Sequence, residues 1–319
     1  MIKTTSKPCL YLHIGNPKTG STYLQKKVFP KLKNTTFYNK PKFNILKEYR
    51  NQKTTFGRLM RSSPVVWEDF GHVLLKNLGM NSSEKSDILV SDEHFVEVND
   101  PFRLAQHLHE LKQKIFKTHD LKILIIIRRQ DTWISSCYAE VSNTHRRVSQ
   151  KHFEEYILNR IDPYSACIDG VGIRLDYYTL LKKIQNVVGK DSVTVLPYEL
   201  LKSNPSFFTE ECCKAINCEI PSSLSFTSEN VRSSGLKNWK LRPMSNAHKL
   251  SIQLRPQRVF KTIFGKSVIY FPALSSIKRA KEITLTKKLS RLILERYEAE
   301  NKKLDYEFNL GLKGFGYYE

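Results

Sequence analysis

The stretch CLYLHIGNPKTGST, residues 9–22, decides the fold. Its first six residues, Cys9 to Ile14, are a short β-prone apolar run that stops at Gly15, and Ser21 to Leu32 then reads as a helix. Between the two lies Gly15-Asn-Pro-Lys-Thr-Gly-Ser-Thr22. A glycine-containing loop at a helix N-terminus presents free backbone N–H groups and the positive end of the helix dipole, so it reads as an oxyanion site rather than a surface turn with a solvated lysine. It departs from the GxxxxGK[ST] loop, because Ser21 follows the second glycine and the lysine has moved inside, to Lys18. From there the ammonium can reach the bridging oxygen of a phospho-anhydride, while Gly20, Ser21 and Thr22 supply backbone and hydroxyl donors.

Working outward, Asp87 to Val90 is a second strand, ending in the polar cluster Ser91-Asp-Glu-His94. Residues 100–117 open with Pro101 and place Phe102, Leu104, Ala105, Leu108, Leu111 and Ile115 at helical spacing, which predicts an amphipathic helix. Leu121 to Ile127 (LKILIII) is nearly continuous and branched, as in a strand buried on both faces of a parallel sheet, and it ends abruptly in Arg128-Arg129. A helix from Thr132 to about Arg146 follows, then a helix over Leu175–Val188, a strand over Ser192–Leu196 and a helix over Pro205–Ile216. Strands alternating with helices predict a doubly wound parallel α/β sheet. There is no internal repeat and no low-complexity linker. After Trp239 a basic tract of weak periodicity runs until helical spacing resumes over Ile283–Leu304. We therefore expect an α/β core over residues 1–239 and a basic C-terminal helical insertion, residues 240–319, closed by a final helix and packed on the same core.

Composition sets the outer bounds. The 319 residues are 40% apolar and 26% charged, with 13 Gly and 13 Pro, which excludes a wholly disordered chain, a collagen and a disulfide-stapled miniature. No apolar run approaches the ~18 residues of a membrane span, and the first strand begins so early that no signal peptide or anchor is expected ahead of it. The six cysteines show no CxxC and no matching histidine spacing, so neither a zinc site nor a disulfide framework is indicated and a reducing cytoplasm is expected. Lys and Arg exceed Asp and Glu by 52 to 31, a net +21 that attracts nucleic acid, anionic membrane or an anionic substrate. From Lys240 to Lys288 twelve basic residues face one acid, Glu282, and contribute +11 of that total.

HIGNPKTGSTYLQ, residues 13–25, resembles the 5′-phosphosulfate loop of sulfotransferases that use 3′-phosphoadenosine 5′-phosphosulfate (PAPS), and most resembles the bacterial carbohydrate type with a PKTGST core. A second family hallmark is an arginine at the end of a buried strand with a serine eight residues on, both gripping the 3′-phosphate. Arg128 and Ser136, in IIIRRQDTWISSCY, match it. The resemblance thus implies a P-loop-like sulfotransferase fold and a PAPS site made by Lys18, Thr19, Gly20, Ser21, Thr22, Arg128 and Ser136, with PAP as product and no metal required. An arginine fork and a helical hydroxyl suit a 3′-phosphate that ATP lacks. Residues 228–234 (SENVRSS) resemble the loop covering the phosphoadenosine and make Arg232 and Ser233 candidates. VTVLPYELL, 193–201, is similar to the family's late strand, with Glu199-Leu200 in place of its acidic pair, and residues 294–304 to its closing helix.

The resemblance also implies a base at the end of the second strand, where the residues are Ser91-Asp-Glu-His-Phe95; Glu93 ranks first and His94 second. His13 reads as a packed histidine. The implied activity is transfer of a sulfuryl group to a hydroxyl of a polysaccharide, lipopolysaccharide or glycolipid, with an anionic acceptor favoured by the charge. A peripheral contact with the inner face of a membrane is compatible with it. Two other readings stay open. A P-loop nucleotide kinase would want lysine at position 21 and a metal-holding acid after a buried strand. A basic nucleic-acid-binding protein would leave both anion motifs unexplained, so no nucleic-acid partner is expected.

Overall fold

The structure is a computed structural model and describes residues 7–44, 53–60, 63, 66–77, 86–96, 101–142, 148–161, 174–222, 224, 238–240 and 282–319. Its strands are β1 (Cys9–His13), β2 (Thr35–Asn39), β3 (Lys42–Asn44), β4 (Lys53–Thr55), β5 (Asp87–Ser91), β6 (Asp120–Ile127), β7 (Val193–Pro197), β8 (Asn238–Lys240) and β9 (Glu282–Thr284). Five of them form one sheet in the order β2-β5-β1-β6-β7, every pair parallel. The pairs β3–β4 and β8–β9 are short antiparallel ribbons.

The period-2 alternation of side chains sends each strand's residues to two different cores. Leu10, Leu12, Ile88, Val90, Ile123, Ile125 and Val195 belong to the larger core, whereas Tyr11, Leu89, Leu124, Ile126 and Leu196 belong to the smaller one. This is why LKILIII is apolar at every position but Lys122, which is half-buried near the start of the strand: both faces of β6 are covered. In chain order the helices are α1 (Ser21–Tyr23), α2 (Phe56–Leu59), α3 (Val66–Asn77), α4 (Pro101–Glu110), α5 (Gln130–Val141), α6 (Gln150–Leu158), α7 (Tyr177–Val188), α8 (Tyr198–Ser203), α9 (Pro205–Ala215) and α10 (Lys287–Phe308). The larger core takes its helical contribution from α2, α3, α4, α5, α6, α7 and α10, the smaller chiefly from the α1 segment and α9. Side-chain oxygens of Ser149, Asp176, Asn204 and Thr286 cap α6, α7, α9 and α10, each such cap contributing about 1 kcal/mol.

Three local differences from the sequence-based expectation have physical causes. The helix expected over Ser21–Leu32 is broken into α1, a π turn (Leu24–Val28) and a 3-10 turn (Phe29–Lys31), the last holding Pro30, which has no N–H to continue the ladder. Strand β2 (TTFYN) carries little hydrophobic signal because it lies at the sheet edge with mostly half-exposed side chains. Ile283 lies in β9 rather than in the final helix, which starts after its Thr286 cap and runs to Phe308. Ile283, Leu289, Ile293, Tyr297, Leu304, Leu312 and Tyr317 all enter the larger core. Of the basic tract, residues 241–281 lie outside the described residues. Among the described residues no helix is long and apolar enough to cross a membrane.

Candidate active site

Strand β1 sits between β5 and β6, so the segments leaving their C-terminal ends share one edge of the sheet. These are the Gly15–Gly20 loop, Asp92-Glu93-His94 and Arg128-Arg129. The chain runs from β1 to the β5 side and then crosses to β6, and such reversals open ligand crevices at the carboxyl ends of parallel strands.

In the loop, Lys18 (φ 68°) and Gly20 (φ 87°) are left-handed while Thr19 between them is not. Alternation of left-handed and ordinary residues is the backbone pattern by which successive N–H groups form concave nests. A side chain at Gly20 would also collide with the neighbouring α8, its Cβ falling 2.7 Å from Leu201 Cδ2. The curl is fastened from three directions. Thr19 Oγ1 donates to the Asn16 carbonyl (2.6 Å), Trp133 Nε1 donates to the Pro17 carbonyl (2.8 Å) and Arg128 Nη1 donates to the Lys18 carbonyl (2.7 Å). The Thr19 hydroxyl is therefore spent on the loop itself. The Ser21 hydroxyl is buried and has no hydrogen-bond partner, and Thr22 is half-buried.

The two arginines after β6 differ in how their charge is met. The Arg129 guanidinium grips Asp131, Nε on Oδ1 at 2.8 Å and Nη2 on Oδ2 at 3.2 Å. The Arg128 side chain is 7% exposed and meets uncharged groups: the Lys18 carbonyl, Thr132 Oγ1 (3.1 Å) and the Tyr198 ring, 4.7 Å below its Cζ. Thr132, Ser136 and Glu140 follow at four-residue steps on one face of α5. Thr132 touches Arg128 and Glu140 pairs with Lys18 Nζ at 2.7 Å, so the buried Ser136 lies between the arginine and the lysine. Burial pushes the neighbouring Cys137 thiol up to about 12, against the pull of Arg128, Lys18 and Arg174, which makes it an inert thiol.

At the end of β5 the ionisable groups are already paired. Asp92 is fully buried; its Oδ2 accepts from the Gly57 N–H (2.8 Å), and its Oδ1 accepts from the His94 N–H (3.0 Å) and meets His94 Nδ1 (2.7 Å). Burial works to raise this carboxyl, but the bonds from the His94 ring and from the backbones of His94 and Gly57 outweigh it and hold Asp92 below the usual carboxylate range. With the Nδ1 proton directed at Asp92, the His94 tautomer leaves Nε2 as an acceptor on a side chain 21% exposed. Glu93 is ion-paired with Lys40. Deeper in, His13 Nδ1 meets Ser91 Oγ (2.7 Å), which also accepts from Gln25 Nε2 (3.0 Å). Burial, only partly opposed by Glu93, pushes His13 down to about 4, so it is a neutral packed residue.

The structure thus places Lys18, Thr19, Gly20, Ser21 and Thr22 after β1 and Arg128 and Ser136 after the neighbouring β6, joined by the bond from Arg128 to the Lys18 carbonyl, with Glu93 and His94 following the adjoining β5. Arg232 and Ser233 lie outside the described residues. Sequence reasoning missed Asp92, although it is two residues from His94, and it missed the Glu140 partner of Lys18, which only the helical face of α5 reveals. Among the described residues no group of His, Cys, Asp and Glu is placed to hold a metal ion.

The family model described as a sulfotransferase domain matches residues 11–267. No curated protein matches the chain. Among solved structures, the chain is similar to a sulfotransferase from Alicyclobacillus acidocaldarius, at 13% identity and a TM-score of 0.44 over 82% of this chain and 98% of that one. It is also similar to mouse sulfotransferase SULT7A1 complexed with PAP (9% identity, TM-score 0.45, 95% of this chain and 87% of that one). A third likeness is to the sulfotransferase domain from the curacin biosynthetic pathway (12% identity, TM-score 0.38, 91% and 98%).

Proposed function

Because the chain belongs to the sulfotransferase domain family, we propose that it transfers the sulfuryl group of PAPS to a hydroxyl of a carbohydrate acceptor. The observation that carries the cofactor assignment is the buried Arg128 guanidinium, whose described partners are uncharged and which faces a loop curled for an anion. Burying a charge without a counter-charge is costly, so the arrangement is completed by a bound anion. The unpartnered Ser21 hydroxyl points to the same requirement. Arg128 and Ser136 would hold the 3′-phosphate, which ATP does not have, and the backbone of Gly20 to Thr22 with the Ser21 hydroxyl would hold the 5′ side.

Bound PAPS would supply an activated sulfuryl group on a phosphate leaving group. His94 Nε2 is the atom able to take the acceptor's proton as its oxygen bonds to sulfur, and the buried Asp92 carboxylate holds the ring and offsets the charge it gains. The bond from sulfur to the phosphate oxygen breaks with its electron pair left on that oxygen, where Lys18 is placed to neutralise it. For this Lys18 must exchange Glu140 for the anion. That exchange is cheap, since Glu140 is exposed and ion pairs near the surface contribute about 1 kcal/mol or less. Glu93, neutralised by Lys40, is the weaker candidate for the base.

A carbohydrate acceptor is supported by the likeness of the PKTGST core to carbohydrate-type enzymes and by the +11 of residues 240–288, more than one cofactor requires. A calorimetric series with PAP, ATP and single-stranded DNA tests the reading. PAP should bind far more tightly than ATP, single-stranded DNA should bind weakly, and Arg128→Ala should lose about 2 to 4 kcal/mol of PAP affinity. Equal affinity for PAP and ATP would return the kinase reading, and DNA bound more tightly than PAP the nucleic-acid one. Mass spectrometry of products from a panel of oligosaccharides tests the acceptor, and a panel left unsulfated while simple alcohols are sulfated would overturn the carbohydrate assignment.

A further inference from the structure

The peptide that joins Arg128 to Arg129 is gripped on both edges. Its carbonyl accepts a hydrogen bond from the Tyr177 hydroxyl at 2.7 Å, and its N–H donates to Glu199 Oε1 at 3.1 Å. The other oxygen of Glu199 accepts from the Tyr317 hydroxyl at 2.8 Å. Three distant parts of the chain therefore meet at one peptide: the start of α7, the start of α8 and the C-terminal segment.

The C-terminal segment is built to reach that point. Leu312 and Tyr317 are fully buried, and Asp305 gathers the Leu310 N–H (3.1 Å), the Lys313 N–H (3.2 Å) and the Tyr318 hydroxyl (2.6 Å). The Tyr317 carbonyl accepts from Asn301 Nδ2 (3.2 Å). Gly316, at φ 74°, passes Arg129 so closely that a Cβ there would lie 3.1 Å from Nη1, and the same Nη1 donates to the Phe315 carbonyl at 3.3 Å. Burial first, then the charge of Glu199, raises the Tyr317 phenol well above its ordinary value, and burial raises Tyr177 likewise. Both hydroxyls consequently stay protonated and remain donors.

We propose that Tyr317 and Glu199 are positioning residues for Arg128, so that the C-terminal segment completes the 3′-phosphate site without touching the ligand. Two physical consequences support this. With its peptide plane held at both edges, Arg128 keeps a fixed backbone from which to direct its guanidinium past Thr132 and over the Tyr198 ring. Moreover Glu199 is the residue after Tyr198, and its two donors hold the carboxylate on the peptide rather than leaving it to pair with the Arg128 charge. An arginine already paired with a carboxylate would lose its advantage for a phosphate dianion. The inference rests on the assignment of Arg128 to the 3′-phosphate.

The test is calorimetric titration of PAP and of adenosine 5′-phosphate into wild type, Tyr317→Phe, Arg128→Ala and the double variant, with thermal midpoints measured alongside. Phenylalanine keeps the ring that fills the core and removes only the hydroxyl. The expected result is a roughly tenfold loss of PAP affinity in Tyr317→Phe, with adenosine 5′-phosphate binding within about twofold of wild type. In the Arg128→Ala background the Tyr317 change should add nothing. A lowered midpoint with unchanged PAP affinity, or equal losses for both nucleotides, would make Tyr317 merely structural and overturn the proposal. Unchanged PAP affinity in Arg128→Ala would overturn the 3′-phosphate assignment, and this inference with it. If the Tyr317 variant does not fold, Glu199→Gln gives the same comparison of the two nucleotides.

Discussion

Arg128 and Arg129 are neighbours with the same charge and opposite duties. Asp131 pairs with the charge of Arg129, whose Nη1 braces the C-terminal segment, whereas the described partners of Arg128 are uncharged. A similar division holds at the end of β5. Glu93 and His94 are adjacent, but one is neutralised by Lys40 and the other is oriented by Asp92. His94→Ala should therefore lower kcat by about 10² to 10⁴, the usual worth of a positioned general base, while Glu93→Gln lowers it less than tenfold and leaves PAP affinity alone. Steady-state kinetics of the two variants decide the matter, and the reverse ranking would hand the proton to Glu93.

At the scale of elements, the site depends on β1 and β5 ending side by side. Part of that joint is the His13–Ser91–Gln25 network, which ties β1, β5 and the turn after α1 beneath the phosphate loop. Burial pushes His13 down to about 4. A histidine in the unfolded chain titrates near 6.5, so below that pH the unfolded state binds a proton that the folded state refuses. The contribution of His13 is thus fully present above pH ~6.5 and is lost as the pH falls towards 4, amounting to about 2 kcal/mol between pH 8 and 5. Urea midpoints should fall over that interval and fall less steeply in His13→Asn. An equally steep decline in the variant would remove His13 from the acid sensitivity.

On the scale of the whole molecule, the net charge of +21 is concentrated, since residues 240–288 contribute +11. Exposed charges are screened strongly by salt, the Debye length shrinking from about 10 Å at 0.1 M to about 3 Å at 1 M. If this tract receives an anionic glycan, the KM for an acidic acceptor should climb steeply with salt. Changing Arg255, Arg258, Lys261 and Lys266 to Ala should flatten that climb and leave PAPS affinity unaltered. A neutral acceptor preferred at low salt, with the variant indistinguishable from wild type, would show that the tract serves another purpose.

By itself the sequence determined the parallel α/β sheet, because a strand covered on both faces must be nearly continuously apolar, and LKILIII between helices, interrupted only by Lys122, can be little else. It also made the strand–loop–helix turn legible, since Gly15, Lys18, Gly20 and Ser21 form a local motif whose backbone geometry depends on near neighbours. Tertiary structure decided what those residues face. That Arg128 reaches the Lys18 carbonyl across 110 residues, that Glu93 meets Lys40 across 53 residues, and that Tyr317 reaches Glu199 across 118 residues are long-range pairings with no local periodicity. Edge strand β2 escaped the reading for a related reason: half-exposed side chains carry little hydrophobic signal, and its place was decided by pairing with β5. Hydrophobic pattern specifies which elements form and which faces they bury. The partner of each polar group at the sheet's edge is specified only when folding has placed the distant segments side by side.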